Sequence, residues 1–453
     1  MPSGYTIRDV VVSNTNPNLK STDTFGDSEP SLAVNGANTK RLDIYTFSSF
    51  WGGGNAALWH SGNGGSTWTK AFTLPQPAGR AANAGCPCDV TIDYDRSSNL
   101  FGTVLDEQPS NGDVYTGDTS NPLSSAAWQW FTVGGFARQT DILAGGADDS
   151  DQPWMRINRA PANASRDNTY VGYDDFTAPQ TIQVAAALGT RPPNFTRDTS
   201  PGIPAGSVNP GTRLAVDHAN GKVYVLWQYS TGTNPDGSKA VLYALSRSTN
   251  AGKTWSLNGS STGVVVAPRN SNQPTPKFGT VNALLGGVDS GAVDPSNGDV
   301  YYVYGTKDVN TGVNRLAIKR LTADQNGGLS IPAAGTFLSG QSPAALPSVA
   351  VASNGTVAVL YDTFDGFNAS GFPVFSAHLA RSHDHGTSFS DATLLTFASS
   401  AKDNGDPRQR VLGDYQQLRV AGNTFFGVFT GNGAGFGRPV SNMDPIFFRG
   451  PAG

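Results

Sequence analysis

The stretch Ser61-Gly-Asn-Gly-Gly-Ser-Thr-Trp68 decides the fold. It recurs as Ser248-Thr-Asn-Ala-Gly-Lys-Thr-Trp255 and, more loosely, as Ser382-His-Asp-His-Gly-Thr-Ser-Phe389. Each copy reads Ser-x-Asn/Asp-x-Gly-x-Thr/Ser-aromatic and follows a short apolar run. The chemistry is that of a tight turn between two strands. An Asn or Asp side chain bonds nearby backbone, Gly takes a positive φ, and the aromatic ring plugs back between strands. The same turn at the same place in successive units marks a repeat architecture. Trp68 and Trp255 are therefore expected to be buried packing residues.

A second periodicity runs through the chain. DVTIDYDRSSNLFGTVL, RLAVDHANGKVYVLW, SGAVDPSNGDVYYVY, SVAVASNGTVAVLY and QLRVAGNTFFGVF each alternate apolar and polar residues, turn at an Asp/Asn/Gly cluster and resume with β-branched and aromatic residues. These are antiparallel hairpins. Two less regular versions, PSLAVNGANTKRLDIYTF and PWMRINRAPANASRDNTYVGY, bring the set to seven, starting near residues 29, 89, 151, 211, 289, 346 and 414. The spacing leaves room for a second strand pair after each hairpin. The expectation is an all-β chain in which residues 1–453 form one β-propeller of seven four-stranded blades, with six blades as the alternative. The last unit lacks an outer strand, and YTIRDVVVS at 5–13 has strand character. It is expected to close the ring by completing the last blade.

The turn pattern resembles the Asp-box, or bacterial neuraminidase repeat, of sialidases and related β-propellers. That resemblance speaks for the fold more than for activity, because the box lies at the propeller periphery, away from the usual active-site face. Sialidases have six blades, so a seventh is a departure from the family pattern.

Composition agrees with many short strands. The 453 residues include 54 Gly and 29 Pro, with only 15% charged side chains. A net charge of −4 offers no basic footprint for nucleic acid. No apolar run reaches the roughly 20 residues a membrane helix needs. The beginning, MPSGYTIRDVVV, does not read as a secretory signal. Asn-x-Ser/Thr sequons at Asn163, Asn194, Asn258, Asn354 and Asn368 and a polar, uncharged surface point to a secreted, extracellular monomer. Cys86-Pro-Cys88 reads as a local redox pair, two packed thiols, a small-ring disulfide or a pair of soft metal ligands. Four-ligand metal sites are not within reach of two cysteines.

In a propeller the loops leading into the inner strands crowd one face, and polar residues there are the default site. They are Asp27 and Glu29, Asp89, Asp149 with Asp151 and Trp154, Arg213, Asp289, and Arg408, Arg410, Asp414 and Tyr415. Single Asp residues before a strand are ordinary turn formers. Their convergence from different blades is the informative feature, and such a rim could do acid/base work, bind a cation or fix sugar hydroxyls. No cofactor is expected, with a structural calcium ion as an option. Histidines 60, 218, 378, 383 and 385 all fall outside the rim positions, which disfavours zinc and Ser-His-Asp chemistry.

GDYQQLRVAGNTFFGVF is similar to the sialidase stretch in which a Tyr opens an inner strand. The resemblance implies Tyr415 as a nucleophile activated by a neighbouring Glu, since a free phenol titrates near about 10. It also implies an arginine grip on a substrate carboxylate, for which Arg156, Arg213 and Arg410 are available, and an Asp as acid/base. The sialidase Arg-Ile-Pro signature near the first blade is missing. The leading expectation is a sialidase-like glycoside hydrolase acting on an acidic or complex glycan. In it Tyr415, Glu29, Asp89 and Asp151 are catalytic. Arg213, Arg410, Trp154, Asp289 and Asp414 bind substrate, with Trp51 as a further stacking candidate. The alternatives are a polysaccharide lyase cleaving next to a uronate, with Tyr415 as base, and a non-catalytic lectin-like propeller.

Overall fold

The computed structural model describes residues 4–13, 28–48, 51, 57–77, 85–107, 112–133, 136–137, 150–176, 180–202, 207–208, 211–235, 239–271, 277–284, 286, 288–307, 311–325, 327–338, 343–437 and 441–453. Among the described residues seven antiparallel sheets of four or five strands follow one another along the chain, besides a two-stranded pair of Thr132–Val133 with Phe136–Ala137. Their innermost strands are Ser31–Val34, Pro87–Tyr94, Ser150–Ala160, Arg213–Asp217, Asp289–Val293, Ala344–Val351 and Gln417–Ala421, in blades 1 to 7. Each is paired by the next strand in sequence, as the hairpin pattern requires. Seven blades, not six, make the propeller.

Ring closure follows the sequence reading. Thr6–Asp9 pairs antiparallel with Met443–Pro451, placing Thr6 opposite Arg449 and Asp9 opposite Ile446. The N-terminal strand thus supplies the outer strand of blade 7.

Neighbouring blades are joined in two ways. Apolar faces interdigitate: Leu32, Ile44 and Trp59 of blade 1 share a core with Phe426, Val428 and Phe447 of blade 7. Met155 and Ile157 of blade 3 pack with Phe101 and Leu105 of blade 2. Short side chains on the inner strands then accept amides of the next blade. Ser31 takes Ile92 N–H, Thr91 takes Met155 N–H, Ser290 takes Val349 N–H, Ser348 takes Leu418 N–H, and Gln417 takes Leu32 N–H. Inner strands leave one backbone edge unpaired toward the axis, and these bonds satisfy part of it.

The three repeated turns join the third and fourth strands of blades 1, 4 and 6 and share one network. The leading Ser Oγ accepts the Gly amide at 2.9, 2.8 and 2.7 Å. Asn63, Asn250 or Asp384 accepts the amide of Thr67, Thr254 or Ser388 at 3.0, 2.9 and 2.9 Å. Gly65 has φ of 82°, and a Cβ there would sit 2.0 Å from the Phe447 ring, so only glycine fits. Trp68 is fully buried edge-on to Phe447, and Trp255 is buried with its indole N–H on Thr199. Cys86 and Cys88 form the small-ring disulfide. Among the described residues no helix is long and apolar enough to cross a membrane.

Candidate active site

The rim positions of blades 1, 2, 3 and 7 converge, and local backbone irregularities aim them. Glu29, just before its strand, has φ of 53°. Asp89 sits in a bulge between Cys88 and Val90, and Gln152 in another between Asp151 and Trp154, with φ of 45°. Bulges turn side chains out of the regular alternation, and positive φ at Glu and Gln marks backbone held against its own preference. The connection into blade 7 brings Arg410, Asp414 and Tyr415. Gly413 in that connection has φ of 84°, and a Cβ would lie 2.1 Å from Glu29 Cγ. Glycine here lets the Glu29 side chain pass against the backbone.

Four carboxyls then surround one guanidinium. Asp414 N–H donates to Glu29 Oε1 at 3.0 Å, and Gln152 Nε2 donates to Asp414 Oδ2 at 3.0 Å. Arg410 Nη1 bonds Asp414 Oδ2 closely and lies 3.7 Å from Glu29 Oε1. The Glu29 and Asp89 carboxyls lie close together, both buried. Burial raises the pKa of Glu29, and Asp414 adds to the rise against the pull of Arg410. Burial also pushes Asp89 well above its usual range, helped by Glu29. Asp151 is raised in the same way by burial and then by Asp89. Asp414 raises the Arg410 pKa further. Burial and mutual repulsion thus favour the protonated forms of Glu29, Asp89 and Asp151 within the cluster. Asp151 and Arg410 are its partly exposed members.

Arg213, Trp154 and Tyr415 form a layer beside the cluster. The Arg213 guanidinium carbon stands 4.4 Å from the Trp154 ring centre and 5.6 Å from that of Tyr415. The two rings meet edge to face at 5.5 Å. Arg213 also donates to Gln152 Oε1 at 3.2 Å and to Gly286 O at 3.3 Å. The Tyr415 hydroxyl is engaged on both sides by blade 2: it accepts Val90 N–H at 2.6 Å and donates to Val90 O at 3.1 Å. Burial, then the nearby Glu29 and Asp89, push its pKa well up. This geometry runs against the nucleophile or base role expected for Tyr415, because forming the phenolate would break the bond to Val90 O in a buried setting. Trp154 is covered by Arg213 and Tyr415, and Trp51 is buried with its N–H on Asp106, so neither offers a free face to a sugar.

Asp289 stands apart from the carboxyl cluster. It accepts the Tyr302 hydroxyl at 2.9 Å, and burial pushes it up to about 7 against the attraction of Arg213. Arg156 lies deeper along the axis, and Arg408 is exposed on the loop before blade 7. Asp27 and Asp149 lie outside the described residues. His60 pairs with Asp43 and His378 with Asp391, each within the blades. No group of three or more His, Cys, Asp or Glu among the described residues is arranged to hold a metal.

Three residues escaped sequence reasoning. Gln152 bridges the halves of the site, donating to Asp414 and accepting from Arg213. Asp174, opposite Asp151 in blade 3, accepts Gly211 N–H, Thr212 N–H and Thr212 Oγ1–H, and burial pushes it up to about 7. Asn282, fully buried between blades 4 and 5, accepts the amides of Val411, Leu412 and Gly413 at 3.0, 2.8 and 3.0 Å and donates to Gly413 O. It fixes the loop that carries Arg410 and Asp414. Nearby, Lys277 anchors the same loop through Asp403, Asp406 O and Gln409. Gln152 lies inside DDSDQPWM, where the rim pattern marked the place but not the residue. Nothing local distinguishes Asn282, whose partners are far along the chain.

No protein-family model matches the chain, and no curated protein sequence matches it. Solved structures do share its architecture. A polysaccharide lyase described as PL25-Ulvanlyase is similar at a TM-score of 0.50 and 10% identity, covering 94% of each chain. Its complex with -[GlcA(1-4)Rha3S]- is similar at 0.51, with the same identity and coverage. A sialidase, Hadza microbial sialidase Hz136, overlaps at a TM-score of 0.35 and 12% identity, over 78% of this chain and 73% of that one, too low to bear on the fold. At these identities the likeness concerns architecture: this chain is a seven-bladed β-propeller of the form also used by a polysaccharide lyase.

Proposed function

We propose that the protein is an extracellular carbohydrate-active enzyme that cleaves an acidic polysaccharide by carboxyl acid/base chemistry at the rim of blades 1, 2, 3 and 7. One observation carries the reading: Glu29, Asp89, Asp151 and Asp414 converge on Arg410, and burial holds the first three toward the protonated form. A protonated, partly exposed Asp151 is suited to give its proton to a leaving glycosidic oxygen as the C–O bond breaks. The Glu29–Asp89 pair then takes the proton from the water that attacks the anomeric carbon. Arg410, paired with Asp414, attracts the acidic group of the substrate. Arg213, enclosed by Trp154 and Tyr415, adds positive potential, and Tyr415 shapes the floor.

The ulvan lyase likeness favours a second reading, β-elimination next to a uronate. There Arg410 would neutralise the uronate carboxylate, a Glu29 carboxylate would remove the proton next to it, and Asp151 would protonate the leaving oxygen.

One digest separates the readings. Purified protein is incubated with uronate-containing and sulfated polysaccharides and followed for reducing ends and for near-ultraviolet absorbance of unsaturated uronate. Reducing ends alone mean hydrolysis, and both signals mean elimination. Either activity should fall at least a hundredfold in Asp151→Asn and less than tenfold in Tyr415→Phe. Retained cleavage in Asp151→Asn, or glycan binding without any product, defeats the acid/base assignment.

A further inference from the structure

The axis holds a second site on the side of the ring opposite the rim. Beneath the Trp154–Tyr415 layer the inner strands enclose a cavity of about 670 Å³ lined by all seven blades. Its walls are unequal. Ala215, Gly291 and Ala350 of blades 4, 5 and 6 give one small, apolar side, whereas Asp93, Arg156 and Arg419 of blades 2, 3 and 7 give a charged one.

Most charges around this cavity are accounted for. Arg96 pairs with Asp167 at 2.7 Å. Arg159 donates to Ala219 O, and Asp217 accepts from the turn at 219–220. Asp93 accepts the amides of Tyr94 and Ile157. Arg419 donates Nε to Leu32 O at 2.9 Å and Nη2 to Ile92 O at 3.0 Å, stitching blade 7 across blade 1 to blade 2, with Nη1 4.0 Å from Asp93 Oδ2. Two guanidiniums therefore face the cavity with a single nearby carboxylate, which is already occupied by backbone.

Arg156 is the exception. Its Nη1 is buried with no hydrogen-bond acceptor among the described residues, and the Trp154 ring lies 5.5 Å from the guanidinium carbon. Arg159, Arg247, Arg315 and Arg381 also bury an unpartnered Nε, but each places a terminal nitrogen on a carbonyl oxygen. A buried guanidinium nitrogen without an acceptor is costly, and a planar guanidinium is best satisfied by an oxyanion. The level is also fixed: Asp93 Oδ2 bonds Ile157 N–H, and Arg419 bonds Ile92 O, so Arg156 and Arg419 flank Asp93 at one depth of the axis.

We propose that this axial cavity is a binding site for a small oxyanion, a sulfate group or a carboxylate, held by Arg156 with Arg419 on the charged wall. The apolar wall of Ala215, Gly291 and Ala350 leaves space for a small organic body attached to that anion. The site is independent of the rim chemistry and stands whether or not the rim cleaves glycans.

The test is a thermal-shift and calorimetric titration of the whole protein with sodium sulfate, sodium glucuronate and sodium chloride at matched ionic strength. Saturable stabilisation by sulfate and glucuronate, but not by chloride, is expected. Equal affinity for the two means that the oxyanion alone is read. Tighter glucuronate means that the apolar wall contributes. Arg156→Gln should lower the affinity at least tenfold while melting in ion-free buffer no lower than wild type. Ala350→Leu, which fills the opposite wall without touching either arginine, should also weaken glucuronate. No saturable binding by wild type, equal shifts with chloride, or undiminished affinity in Arg156→Gln each overturns the proposal.

Discussion

The three repeated turns and the seven rim positions are opposite ends of the same blades, and they differ in kind. At residues 61–68, 248–255 and 382–389 the leading Ser hydroxyl donates to Asn63, Asn250 or Asp384 at 3.0, 3.0 and 2.6 Å, and the turn holds its form even where Asp384 replaces Asn and Phe389 replaces Trp. At the rim only aspartate recurs, at Asp89 and Asp289, and the blades otherwise differ: Glu29, Asp89, Gln152, Arg213, Asp289, Leu346 and Tyr415 occupy the corresponding approaches. A turn has one problem to solve in every blade, pairing its own amides. The rim has seven neighbours that must fit one another once. Repetition therefore identifies scaffold, and its failure identifies where the chain has been specialised.

Four measurements would break or sharpen that contrast. The largest effect is expected from Arg410→Gln, which removes the guanidinium paired with Asp414 and the positive charge beside Glu29. Stability should fall by about 3 kcal/mol, read by urea unfolding, and any cleavage activity by two orders of magnitude or more. A loss below 1 kcal/mol would mean that the cluster does not depend on its cation.

Asn282→Ala comes next. It leaves three amides and a carbonyl of the loop at 411–413 without a buried partner. A loss of about 2–4 kcal/mol is expected, together with reduced activity, although Asn282 makes no contact with Arg410 or Asp414. Hydrogen exchange should localise the loosening to that loop.

The pH dependence follows. Asp174 and Asp289 are both raised to about 7 by burial, above the range they have in an unfolded chain. The folded state thus binds more protons than the unfolded state between about pH 4 and pH 7. The stability these groups give is fully present below pH 4 and is lost as pH rises through 7. Other things equal, melting temperature should decline across that interval, and the double variant Asp174→Asn, Asp289→Asn should flatten the decline. An unchanged slope would show that the two carboxyls ionise normally.

The smallest effect belongs to the scaffold. Asn63→Ala removes the bonds to Thr67 and should cost about 1 kcal/mol with no change in any rim activity. Asn250→Ala should match it. A disparity between the two blades would show that equal geometry does not carry equal energy.

How much of this was legible beforehand divides along the same line. Local chemistry announces itself: the turn motif, the alternating hairpins and the strand-like segment at 5–13 all depend on residues a few positions apart, and blade count and ring closure could be read from them. The rim could be located, because it is by definition what precedes each inner strand. Its internal pairing could not. Whether Tyr415 is a reactive phenol depends on the backbone of Val90, and Arg410 is held in place by Asn282; neither relation leaves a trace in nearby sequence. Histidine gave a cleaner signal, since all five lie in strands or turns away from the rim.

The pairing of Thr6 with Arg449 has a consequence for how the chain comes into being. A ribosome delivers Thr6 long before its partner. Until then blade 7 lacks its outer strand, and blades 1 and 7 cannot seal the core formed by Trp59, Trp68, Phe426 and Phe447. During synthesis the nascent chain carries a strand edge and an aromatic face that await the much later strand Met443–Pro451, the kind of surface that chaperones recognise. Blades can form in succession, but the ring is completed in a single late step, and a chain stopped before Met443–Pro451 would keep its first strand unpaired.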